Sequence, residues 1–171
     1  MVHTRLSLMM FIQYFIWGIW NVTMATYLSQ TLGFDGHQIG WAYATTAIAA
    51  MISPFFVGVI VDRSIAAEKV LSLLHLMGGF LIYWSSTLKD FAWFFPVLLA
   101  YTLCYMPTLA LTNSLSFHHM ENPARQFPKV RVLGTIGWIA AGLIVGEIHL
   151  EATAVPFKIA GIVSFLMGLY C

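Results

Sequence analysis

Residues 127–146 read FPKVRVLGTIGWIAAGLIVG, and in them an arginine, Arg131, stands at the head of an otherwise apolar run. The run raises the question of solvent. A water-soluble domain carries roughly a quarter of its residues as charges. Here 9% of the 171 residues are charged, while 60% are hydrophobic and 15% aromatic. So few charges cannot cover a surface facing water, and the solvent that fits is the lipid bilayer. A charge entering hydrocarbon costs roughly 2.5–3.5 kcal/mol on insertion scales. Arg131 therefore either ends a loop and snorkels outward to the interface, or it has a polar task inside.

A spanning helix needs about 20 mostly apolar residues. Five stretches meet or approach this: 6–29, 38–61, 70–88, 92–117 and 132–148. A sixth, 156–171, is still apolar at Cys171, so the sequence is expected to stop inside its sixth helix. The first stretch is not read as a cleaved signal. It runs on from Trp20 towards Leu28 and lacks a clean small-residue cleavage site. Lys and Arg collect on cytoplasmic loops. With the N-terminus inside, Arg5, Arg63, Lys69, Arg125, Lys129 and Arg131 are cytoplasmic, against Lys89 and Lys158 outside. That places the N-terminus in the cytoplasm and the chain, multi-pass, in the cell (inner) membrane. Trp41, Trp84 and Trp93 fall near span ends, where aromatic anchors sit.

The predicted fold class is all-α integral membrane, a bundle of six helices. Six helices can hold two inverted repeats of three, as secondary transporters often do. No sequence match between helices 1–3 and 4–6 supports the repeat. Net charge is +1, without a basic stripe, so nucleic acid is not an expected partner. Cys104 and Cys171 suggest neither a disulfide nor a zinc site. No nucleophile–base or metal-binding pattern is present, so no catalytic residue, metal or cofactor is expected, and the chain does not read as an enzyme.

Polar residues fall on particular faces. Arg131, Thr135 and Trp138 are spaced i, i+4, i+7 and share one face at 100° per residue. A forked cation, a hydroxyl and an aromatic plate suit a polar ligand with a flat or sugar-like surface. Gln13, Trp17, Trp20, Met24 and Tyr27 fall within an arc of about 80°, with Asn21 beside them. That face either lines a cavity or bonds a neighbouring helix. Tyr101, Tyr105, Thr108 and Thr112 form a third face, next to Pro107, which removes a backbone donor; Asn113 lies off it. Gly134, Gly137, Gly142 and Gly146, with a GxxxG at 142–146, read as close-packing positions. His75, placed near the inner end of helix 3, reads as a packing residue. Asp and Glu are absent from the centres of the spans.

GVIVDR, residues 58–63, resembles the start of the G-x-x-x-D-R signature of the major facilitator superfamily, although SIAAEK follows in place of the usual glycine and basic cluster. Four further stretches resemble the nucleoside:proton symporter family of that superfamily. They are QYFIWGIWNVTMATY (13–27), TLGFDGHQIG (31–40), YMPTLALTNSLS (105–116) and FPKVRVLGTIGW (127–138). The resemblance runs from about Phe11 to Trp138.

It implies the N-terminal half of a carrier, a 3+3 inverted repeat whose C-terminal half is absent from this chain. It also implies that Arg131 and Thr135 hydrogen-bond a nucleoside and that Trp138 contacts it. Gln13, Trp17, Trp20, Asn21, Tyr105 and Thr108 are the further candidate ligand residues, and Asp62 and Arg63 the candidate gate. The coupling ion is expected to be H+, and its acid to lie in the missing half. Lactose-permease-like sugar symporters have a similar arginine, glycines and GW, so an oligosaccharide is the alternative substrate. The third reading is a membrane assembly protein that transports nothing.

Overall fold

The computed structural model describes residues 2–62 and 66–171, with side chains except at 2 and 56–62. Among the described residues seven helices follow one another: α1 (Val2–Asn21), α2 (Met24–Gln30), α3 (Gly36–Asp62), α4 (Ala67–Ser85), α5 (Phe91–His118), α6 (Pro123–Glu147) and α7 (Val155–Tyr170). By length and apolarity alone, 3–30, Phe91–His118 and Pro123–Glu147 each suffice to cross a membrane. Trp41, Trp84 and Trp93, near helix ends, are all exposed.

Caps fix where several helices begin. Asp35 Oδ1 accepts the Gln38 N–H at 2.8 Å, and Gln38 Oε1 accepts the Asp35 N–H at 3.0 Å, a reciprocal capping pair ahead of α3. Asp90 accepts the Ala92 N–H at 2.9 Å and starts α5. Asn122 accepts the Arg125 N–H at 3.3 Å, and Pro123 follows at a position where its missing N–H costs nothing. This cap starts α6 well before the expected residue 132. Arg131 is thus held inside a helix rather than at its head. Hydropathy finds where a helix meets lipid, whereas the cap decides where the backbone begins to coil. The charged residues Arg125 and Lys129 hid two turns of helix.

The first expected span, 6–29, is interrupted at Val22–Thr23. An unbroken helix would bond the Ala25 N–H to the Asn21 carbonyl. Instead, the Tyr43 hydroxyl from α3 donates to that carbonyl at 3.0 Å and accepts from that N–H at 3.2 Å. A side chain inserted into the helical ladder is a physical cause of a kink. In lipid, such freed backbone groups need partners, and a single hydroxyl supplies both. Counting α1 and α2 as one interrupted rod, the chain forms six rods.

The rods pack in pairs: α1 with α6, α3 with α5, α4 with α7, α4 with α5, and α1 with α7. Exchange α1 with α5, α3 with α6 and α4 with α7, and the same set of pairs returns. The 3+3 repeat is therefore visible in the packing, although no sequence match announced it. Three crossings bring the chain to the opposite side, so the second repeat is inverted relative to the first.

The α1–α6 seam is the tightest join to the candidate site. A Cβ added at Gly137 would collide with the Phe11 carbonyl oxygen, and one at Gly134 would lie 2.7 Å from the Tyr14 ring. A Cβ added at Gly18 would lie 3.0 Å from the Trp138 carbonyl oxygen. Small residues let helix backbones approach in this way. Gly142 and Gly146 do not share the role, since a Cβ at either meets nothing within 4 Å. Of the four expected packing glycines, Gly134 and Gly137 take the role, and the GxxxG pair Gly142 and Gly146 does not.

Two outcomes check these contacts. Gly137→Ala should cut the yield of folded protein in the membrane, while Gly142→Ala and Gly146→Ala leave it intact or raise it, as read by fluorescence-detected size exclusion. Tyr43→Phe should lower stability by about 1–2 kcal/mol in thermal unfolding in detergent. An unchanged midpoint would show that the hydroxyl bridge contributes nothing.

Candidate functional site

The glycine seam brings two side-chain rows together. On α6, Arg131, Thr135 and Trp138 lie along one face. On α1, Tyr14, Trp17 and Asn21 follow at i, i+3 and i+7. The Arg131 guanidinium carbon sits 4.0 Å above the centre of the Tyr14 ring. An arginine over an aromatic face is held by the ring quadrupole, by about 0.5–1 kcal/mol at exposed sites and about 2 kcal/mol when desolvated. Trp138 and Trp17 meet edge to face, with ring centres 5.1 Å apart and planes at 86°.

The stacking matters for what the arginine can still do. Contact with the Tyr14 ring spends no hydrogen-bond acceptor on the guanidinium. Among the described residues Arg131 makes no hydrogen bond or ion pair. Thr135 is exposed, and its hydroxyl has no partner among the described residues. Trp138, Trp17 and Asn21 are half-buried. The Trp17 indole N–H is enclosed and unpartnered. A fork of donors, a hydroxyl and two aromatic rings thus border one open face.

The other candidates lie elsewhere. Gln13, Trp20 and Thr108 are 0% exposed and Tyr105 is 2% exposed. They sit in the core between helices and do not reach the open face. Trp20 packs edge-on against Tyr101, ring centres 5.4 Å apart, and beside Phe157 at 5.7 Å. Gln13 donates to the Thr108 hydroxyl at 2.7 Å, the Thr108 hydroxyl donates to the Tyr105 carbonyl at 2.6 Å, and the Tyr105 hydroxyl donates to the Gln13 carbonyl. Of the candidate gate, Asp62 is the last residue of α3, with its side chain outside the described set, and Arg63 lies outside the described residues.

One residue was missed by the sequence reading, and another, read as a packing residue, was placed too near its helix end. Tyr14 carries Arg131; its spacing to Trp17 and Asn21 was available as a signal, but the neighbouring stripe through Gln13 held more polar and aromatic residues. His75 is the ninth residue of the 19-residue α4, well inside the helix rather than near its end. Both of its ring nitrogens are engaged, with Gln13 at 2.9 Å and Ser164 at 3.0 Å.

Residues 1–171 match the family described as nucleoside H+ symporter over their full length. The chain is 47% identical over 173 residues to the putative nucleoside transporter YegT of Escherichia coli K12, covering 97% of this chain and 40% of that protein. It is 38% identical to the xanthosine permease of the same organism, covering 97% and 41%, and 31% identical to its nucleoside permease NupG, again covering 97% and 41%. The crystal structure of the nucleoside transporter NupG superposes with a TM-score of 0.96 at 30% identity, over 98% of this chain and 42% of that one. The chain thus spans about two fifths of the length of the curated relatives it matches. The fold is that of the first six-helix half of such a carrier, and the chain is a membrane protein of the nucleoside H+ symporter family.

Proposed function

We propose that this chain forms the N-terminal half of a carrier that imports nucleosides with protons by alternating access. The observation that carries the reading is the unspent fork of Arg131, seated on Tyr14 and one turn from the free Thr135 hydroxyl. A nucleoside offers sugar hydroxyls and ring heteroatoms that accept from a guanidinium, and a flat base that a tryptophan can cover. Arg131 and Thr135 hold the polar atoms, Trp138 and Trp17 flank the base, and Asn21 closes the row. Gln13, Trp20, Tyr105 and Thr108 act from beneath. No covalent chemistry is needed.

A second six-span half completes the cavity, with substrate near the bilayer midplane between the halves. Carboxylates are absent from the centres of the spans in this sequence, so the acid that couples transport to H+ belongs to that other half. The bias of Lys and Arg supports an N-terminus in the cytoplasm and residence in the inner membrane. Asp62, the last residue of α3, and Arg63, which follows it in sequence, form part of the gate.

The test is uptake of labelled uridine and adenosine by cells expressing the full-length carrier, with a disaccharide alongside. Nucleoside uptake that rises as the outside is acidified and collapses with a protonophore supports the reading. Disaccharide uptake alone would replace the substrate by a sugar, and no uptake by protein verified in the membrane would leave an assembly role. Arg131→Lys should lower kcat/KM by about tenfold or more although charge is kept, because a point charge cannot reproduce the fork. Trp138→Phe should retain most affinity, whereas Trp138→Ala should raise KM by about tenfold, the loss of roughly 1.4 kcal/mol.

A further inference from the structure

His75 makes the one cross-link in the described core that ties four helices through side chains in series. Its Nε2 lies 2.9 Å from Gln13 Oε1 on α1, and its Nδ1 lies 3.0 Å from the Ser164 hydroxyl on α7. Gln13 Nε2 in turn donates to Thr108 on α5. The proton positions follow from the partners. The Thr108 hydroxyl hydrogen is spent on the Tyr105 carbonyl, so Thr108 must accept from the Gln13 amide. That turns Gln13 Oε1 towards His75 and requires a hydrogen on Nε2. The single Ser164 hydroxyl hydrogen then goes to Nδ1, at 3.0 Å, in preference to the His75 carbonyl, 3.1 Å away. His75, Gln13, Thr108 and Ser164 are each at most 1% exposed.

The chain leads to the candidate site by two routes. Gln13 is followed directly by Tyr14, the seat of Arg131. The Tyr105 hydroxyl holds the Gln13 carbonyl, and the Tyr105 ring abuts Trp17, 6.3 Å between centres, which abuts Trp138. The helix α6, which carries Arg131, has α1 as its principal neighbour in this chain. Whatever fixes α1 therefore fixes the arginine.

We infer that His75 is a positioning residue for the ligand face: by donating from Nε2 to Gln13, it sets α1, and through Tyr14 and Trp17 it sets Arg131 and Trp138. The inference rests on the nucleoside-carrier reading above.

The experiment compares the full-length carrier with His75→Leu, Gln13→Leu/His75→Leu and His75→Gln, reading nucleoside KM and thermal midpoint together. His75→Leu orphans the buried Gln13 oxygen and should lower Tm by about 5 °C and raise KM about tenfold. The double variant removes both partners, leaves no buried donor stranded, and should restore Tm to within about 2 °C. Its KM should stay high, because the tie to α1 is still missing. His75→Gln can place an amide N–H where Nε2 stands and should keep KM within about threefold of wild type. A double variant that regains wild-type KM would reduce the network to mere polar satisfaction and overturn the inference. So would an unchanged KM in His75→Leu or a tenfold rise in His75→Gln. If His75→Leu does not reach the membrane, the double variant decides. Absence of nucleoside uptake by the wild-type carrier would instead remove the functional reading, and is told apart because it precedes any comparison of variants.

Discussion

Everything about the candidate site depends on how closely α1 and α6 approach. At Gly137 there is no room for a methyl group against the Phe11 carbonyl, and at Gly134 the Tyr14 ring occupies the space a side chain would need. In lipid the tails are as apolar as leucine, so helices gain by packing backbone on backbone rather than by hiding apolar surface. Here that packing has a chemical result. It slides Tyr14 beneath Arg131 and sets Trp17 against Trp138. A guanidinium held over an aromatic ring is positioned without a hydrogen-bond acceptor. This answers the problem of a cation in an apolar helix: the ring offsets part of the desolvation.

The sequence made some of this legible and hid the rest for identifiable reasons. Composition and run length are enough to see a six-rod membrane bundle, because lipid imposes both. The i, i+4, i+7 row of Arg131, Thr135 and Trp138 survives in the structure because a shared helical face needs only the geometry of one helix. What one helix cannot reveal is which neighbour its face meets. Gln13 and Trp17 are nearly aligned by angle, yet Gln13 is enclosed among α4 and α5 residues while Trp17 borders the open face. Gly142 and Gly146 have the packing spacing but face empty space, while Gly134 and Gly137, three apart, face α1. The break at Val22–Thr23 is unmarked by proline or glycine; its cause is Tyr43, on a different rod.

The repeat adds a constraint that no single helix shows. The exchange that preserves the packing swaps α1 with α5 and α4 with α7. The buried network joins exchanged partners in both cases: Gln13 of α1 bonds Thr108 of α5, and His75 of α4 bonds Ser164 of α7. Elements exchanged by a two-fold relation touch each other at its axis. The polar chain therefore lies at the centre of the half, where the two three-rod units must be held together. Apolar contacts there could slide, since dispersion is non-directional. Hydrogen bonds between defined atoms set register.

The third exchanged pair, α3 and α6, stays outside this brace. α3 reaches the centre through α5, where the Thr102 hydroxyl donates to the Thr45 carbonyl at 3.2 Å. α6 reaches it through α1, by the glycine seam. The described bundle thus has a braced interior of four rods and two flanking rods, one of which carries Arg131 and the other of which ends at the gate candidate Asp62. Rigid-body rocking of one half against another needs an interior that does not deform as load passes through it. In hydrocarbon, a buried amide and imidazole are tolerable only when every polar atom is matched. The same requirement that makes Gln13 and His75 costly to place makes them effective in holding four rods to one arrangement.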